Sequence, residues 1–72
     1  MSEQDYRRAL LRTVGVKKHG EHWKVRLSED LERDRSTITY WDQGKNPIDK
    51  LVERELERMA KSLGIKKSDI VA

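Results

Sequence analysis

The sequence predicts an all-α fold of four to five short helices, and three observations carry that expectation. No stretch alternates apolar and polar residues with the period of two that a half-buried strand needs, whereas several stretches repeat apolar residues every three or four positions. Glycines and the single proline fall in the gaps between those stretches, and cap-forming residues such as Ser2 and Asp34 stand in front of two of them. A chain of 72 residues has enough apolar material for one core, so a single domain over residues 1–72 is expected.

Taken in order, Ser2 caps a first helix with Glu3 and Asp5 in its first turn, and Tyr6, Ala9, Leu10, Thr13 and Val14 share its inner face. Gly15 is expected to end it, leaving residues 15–20 as a loop bracketed by two glycines. A second helix opens at Glu21, carries Trp23, Leu27 and Leu31 at intervals of four, and closes near Glu32. Asp34 caps a third helix through the amide of Ser36 or Thr37; Ile38 and Trp41 form its apolar contact, and Gly44 with Asn46-Pro47 ends it. The fourth helix has the clearest stripe, Ile48, Leu51, Val52, Leu56, Met59, Ala60 and Leu63, before a left-handed cap at Gly64. Ile65, Ile70 and Val71 can fold back onto the core, with Ser68 capping a last short turn.

Composition narrows the function classes. There is no cysteine, which excludes a disulfide framework and a thiolate metal site and suits a reducing cytoplasm. No apolar run approaches the ~20 residues of a membrane span, and the first residues lack the layout of a signal peptide, so a cytoplasmic protein without membrane attachment is expected. Net charge is only +3, but it is unevenly placed. From Arg7 to Arg26 seven bases face one acid, Glu21, whereas Glu29, Asp30, Glu32 and Asp34 outnumber Arg33 just afterwards. A basic side implies a polyanionic partner.

The second and third helices are joined so closely that they must cross steeply. From Leu27 to Trp41, continuing through Asp42-Gln43-Gly44-Lys45, the chain resembles the helix-turn-helix of the phage repressor and Cro family, so the implied fold is lambda-repressor-like. Leu27, Leu31, Ile38 and Trp41 match that family's core positions, Ser28 its small-residue position, and Gly44-Lys45 its exit from the recognition helix. The likeness runs on through Asn46-Pro47-Ile48 to Ser62-Leu63-Gly64-Ile65, about two thirds of the chain, and Gly20-Glu21-His22-Trp23-Lys24 is similar to a small phage and prophage branch. Two positions depart from the pattern: Glu32 and Arg33 stand where the family usually has glycine and then an apolar residue. Glu32 is expected to stay helical with the chain turning later, and Arg33 to lay its aliphatic stem over the core.

The resemblance implies a DNA-binding transcriptional regulator, a homodimeric repressor or autoregulator on an inverted-repeat operator. The major groove admits one helix, and its N-terminal side chains reach the base edges; here those are Arg35, Ser36, Thr39 and Tyr40. Phosphate contacts are expected from the amides of Trp23 and Lys24, the Lys24 ammonium, and Thr37, Gln43 and Lys45. Ile65, Ile70 and Val71, with the end of the fourth helix, are the expected dimer surface. Without a sensor domain, neither a cofactor nor a small-molecule ligand is expected.

Plainer readings stand beside these. Trp41, in register with Ile38, belongs to the core, and Trp23 is read the same way. His19 and His22 lack a third ligand, so no metal site is expected. On composition alone the bases of the first helix read equally well as a solvated face, and the mixed charges of the fourth, from Glu53 to Lys61, read as surface. Catalysis is not expected, because there is no phosphate loop and no nucleophile elbow. The alternative function is a protein-binding module of the same fold, as in antitoxins or phage inhibitors of host proteins, motivated by the acids Glu29, Asp30 and Glu32 near the turn.

Overall fold

The computed structural model describes residues 2–70, and the regular structure among them is helical: α1 (Glu3–His19), α2 (Trp23–Asp30), α3 (Arg35–Gln43) and α4 (Lys50–Ser62). Single 3-10 turns occupy Gly20–His22 and Lys67–Asp69. The expected all-α class is observed, and no described helix is long and apolar enough to cross a membrane. All four helices feed one core: Leu10, Leu11 and Val14 meet Trp23 and Leu27, Ile38 and Trp41, and Val52, Leu56 and Ala60, with Ile48 closing the bottom from the loop before α4.

Helix α1 begins as its sequence indicates. Ser2 Oγ accepts from the Asp5 amide at 3.1 Å and Asp5 returns the bond to the Ser2 amide at 3.4 Å, a reciprocal cap. It does not end at Gly15. The helix continues to His19 and stops at Gly20, whose φ of 76° opens the next turn. Gly15 is instead a notch for a neighbour: a Cβ there would lie 2.2 Å from Trp23 Cε3 and 2.7 Å from Cδ2. A glycine inside a helix costs about 1 kcal/mol relative to alanine. Seating the buried indole of Trp23 against α1 offsets that cost, and it places the start of α2.

Helix α2 is shorter than expected at both ends, opening at Trp23 after the 3-10 turn and closing at Asp30. The turn to α3 also differs. Glu32 does not stay helical; its φ is 54°, the left-handed region that glycine normally fills. Its conformation lets the Arg33 amide donate to Ser28 O at 2.9 Å and the Glu32 amide to Glu29 O at 3.2 Å. Those two bonds are the paired closure that satisfies a helix's last carbonyls and reverses the chain in few residues. Arg33, expected to lean on the core, is exposed.

Helix α3 has the predicted ends, with Asp34 accepting from the Ser36 amide at 3.4 Å and Gly44 at φ 78°. Helix α4 starts two residues later than its stripe suggests. Asp49 is its cap, accepting from the Val52 amide at 2.9 Å, so Ile48 is buried from the loop and Leu51 falls off the inner face, 69% exposed. Ile48 is gripped by α1: Gln4 Oε1 accepts from its amide at 2.8 Å, while Gln4 Nε2 and Arg7 Nη1 donate to its carbonyl at 3.0 and 2.8 Å. At the far end Gly64 is left-handed at φ 74°, as expected. The last turn is held by Asp69, not Ser68, through the Lys66 amide at 2.9 Å.

Candidate nucleic-acid interface

Helix α3 has two sides. Ile38, Trp41 and Asp42 are buried and fix its position against the other helices. Opposite them lie Arg35, Ser36, Thr39 and Tyr40, one stripe by the 3.6-residue period, with Arg35 and Ser36 exposed and Tyr40 42% exposed. Thr39 is half-buried and spends its hydroxyl hydrogen on Arg35 O at 3.2 Å. The four residues expected to read bases are thus brought to one side of one helix. Among the described residues Arg35 forms no ion pair, so its five donors are uncommitted.

The residues expected to meet phosphate are less uniform. Gln43 and Lys45 are exposed at the end of α3, and the Lys45 ammonium lies 5.7 Å from the centre of the Tyr40 ring, extending the stripe with a positive charge. Thr37 is half-buried. Trp23 and Lys24 begin α2, and no side chain caps that N-terminus, because His22 makes no capping bond. An open groove of about 420 Å³ lies there, with Trp23 and Lys24 on one wall and Arg35 and Thr39 on the other. The Trp23 side chain is core, as expected. Lys24 is engaged elsewhere: its ammonium is 3.2 Å from Asp42 Oδ2 and 5.8 Å from the centre of the Trp23 ring.

Asp42 is the residue the sequence pattern passed over. Its side chain, 10% exposed, accepts on Oδ1 from Arg12 Nε and Nη2 at 3.2 and 2.9 Å while Oδ2 faces Lys24. Its backbone carbonyl accepts from Arg8 Nε and Nη2 at 3.2 and 2.8 Å. A signal exists in the residues, since Asp42 stands four after Ile38 and therefore on the buried side, where an acid needs cationic partners.

The bases of α1 are divided: Arg12, Lys17 and Lys18 stay exposed, whereas Arg7 and Arg8 turn inward. Arg7 is buried, with Nε 3.0 Å from Glu53 Oε1, Nη2 3.7 Å from Glu3 Oε2 and Nη1 on Ile48 O. Glu53, expected at the surface, is half-buried as the acidic partner of that pair. Arg8 and Arg12 close onto Asp42 as described. The acids near the α2–α3 turn divide: Glu29 and Glu32 are exposed, whereas Asp30 turns to the end of α1, 3.0 Å from Lys18 Nζ and 2.6 Å from His19 Nε2. Partial burial would raise the Asp30 carboxyl, but its bonds to His19 and Lys18 outweigh that and hold it below the usual carboxylate range.

His22 is exposed, and no group of three metal-ligating side chains occurs among the described residues. Ile65 and Ile70, expected at a dimer surface, are half-buried against the chain's own core, and Val71 lies outside the described residues. No protein family model, no curated protein and no solved structure matches this chain.

Proposed function

We propose that the chain is a sequence-specific, double-stranded-DNA-binding transcriptional regulator of the phage repressor and Cro kind, a homodimeric repressor or autoregulator acting in the cytoplasm on an inverted repeat. One observation carries this: the uncommitted polar stripe of α3 rides on a helix whose back is locked into the core by Ile38, Trp41 and Asp42. A reading helix needs that combination, because base contacts discriminate only when the side chains making them are held in place. Arg35 pairs with guanine O6 and N7, Ser36 donates or accepts, and Thr39 and Tyr40 meet thymine methyls. The amide of Trp23, together with Thr37, Gln43 and Lys45, sets register on phosphates.

The turn supports the same conclusion. Glu32 occupies the position where the resembled family carries glycine, and its φ of 54° is a glycine conformation. A side chain tolerated there against its own preference argues that the α2–α3 angle is retained for a reason other than local stability.

The test is selection of binding sites from random duplexes, followed by affinity for the winning and a scrambled sequence across a salt series. An enriched inverted repeat bound about a thousandfold or more tighter than the scrambled duplex is the expected result. No enrichment would sink the proposal and favour the protein-binding module, a reading consistent with the internal use of Arg7, Arg8 and Arg12.

A further inference from the structure

At the α1 end of the interface, Asp42 gathers three cationic side chains. Arg8 already ties α1 to the end of α3 through two bonds to the Asp42 carbonyl, at 2.8 and 3.2 Å. The Asp42 carboxylate then takes two further cations, Arg12 from α1 and Lys24 from α2, one on each oxygen. Neither cation is buried: their side chains are 62% and 39% exposed, within reach of an external phosphate if released. Lys24 also lines the groove that holds Arg35 and Thr39. A buried carboxylate is therefore spending two solvent-accessible bases beside the face proposed to read DNA.

We infer that Asp42 sets how strongly this face binds DNA of any sequence, by withholding Arg12 and Lys24 from the phosphate backbone; this deepens the proposed DNA-reading function and rests on it. Binding to arbitrary sequence is set by how many bases neutralise phosphates, and its logarithm falls with that of salt at a slope of about 0.9 per contact. Discrimination comes from base edges, which Arg35, Ser36, Thr39 and Tyr40 supply whether or not Arg12 and Lys24 are free. Sequestering two bases lowers the affinity for every sequence by the same factor; a duplex without the preferred base edges, which has phosphate contacts alone, then dissociates at a salt concentration where the preferred one stays bound. Asp42 touches no DNA in this scheme; it acts through the two bases it holds.

The experiment measures affinity for a scrambled duplex from about 0.05 to 0.3 M salt, for the full chain and its variants. Asp42→Asn, which keeps size and one acceptor but removes the charge, is expected to bind about tenfold tighter near 0.1 M and to steepen the salt slope by about 1 to 2. Arg12→Gln is expected to leave the slope unchanged when Asp42 is intact and to lower it by about 1 when combined with Asp42→Asn. A purely structural Asp42 would change the folded fraction and the melting temperature, not the slope. An unchanged slope in Asp42→Asn, or an equal effect of Arg12→Gln with and without that change, would overturn the inference. Should Asp42→Asn not fold, Arg12→Gln alone decides: a slope reduced by about 1 refutes withholding, and an unchanged slope supports it. Failure of the proposed function appears elsewhere, as absence of a preferred sequence for the unaltered chain, while these slopes on scrambled DNA stay readable.

Discussion

Helices α1 and α3 both present arginines and polar residues, and they use them in opposite ways. On α1, Arg7, Arg8 and Arg12 all point at acceptors inside the molecule: Glu53 and Ile48, the end of α3, and the Asp42 carboxylate. On α3, Arg35, Ser36 and Tyr40 stay exposed, and the Lys45 ammonium over the Tyr40 ring adds a charge to them without tying the stripe to another helix. The difference teaches that local charge is not available charge. The surplus of positive residues between Arg7 and Arg26 suggests a basic side for a polyanion, yet much of it is consumed in joining helices. What distinguishes the outer side of α3 is how little of it is used internally.

Breaking the contrast on the α1 side should give the largest effect. Arg7→Ala leaves Glu53 without its cation and the Ile48 carbonyl with Gln4 as its remaining side-chain donor, and should lower stability by about 3 kcal/mol in urea unfolding. A loss under about 0.5 kcal/mol would return Arg7 to the surface class. On the α3 side, Arg35→Ala should move stability by no more than about 0.5 kcal/mol but cost about 1 to 3 kcal/mol of affinity for the selected duplex, relaxing preference at one base pair. If instead stability fell and affinity held, the roles assigned to the two arginines would be exchanged.

Two smaller changes sharpen the contrast at the joint between the helices. Glu32→Gly removes a left-handed non-glycine residue and should raise stability by about 1 kcal/mol, read as a higher urea midpoint; a lower midpoint would mean that Glu32 makes a contact worth more than its strain. Asp30 supplies the smallest effect. Its carboxyl is held below the ordinary value of 3.8, so it favours the folded state above that pH, and the contribution is lost as pH falls through the lowered value. The melting-temperature gap between the protein and Asp30→Asn should be present at neutral pH and close in acid; a gap that persisted in strong acid would show that charge is not its origin.

Much of this is legible in the residues, and the departures have physical reasons. Helix α3 can be placed from Asp34 and Gly44 because a cap and a left-handed stop are local chemistry. Gly15 reads as a stop but is not one, because its purpose is not local: what it accommodates is the ring of Trp23, eight residues on. Leu51 reads as core only if Ile48 is counted inside the helix; with Asp49 as the cap, Val52, Leu56 and Ala60 set the phase and Leu51 faces outward. Arg7 and Asp42 escape the pattern together. Each lies on a buried face by its spacing, three before Leu10 and four after Ile38, and a charged residue in such a register announces a partner that spacing alone does not name. The outward stripe of α3 is predictable as a set, but which bases remain free to assist it depends on pairings across three helices.

The grip of Gln4 and Arg7 on Ile48 also carries an entropic cost. These bonds join residues 44 and 41 positions apart, and closing so long a loop in a flexible chain costs entropy that a helix turn does not. The seam between the start of α1 and the segment before α4 therefore shares its closure cost with the packing of Val52, Leu56 and Ala60 against Leu10, Leu11 and Val14, and its bonds stand or fall with that core rather than as a local turn.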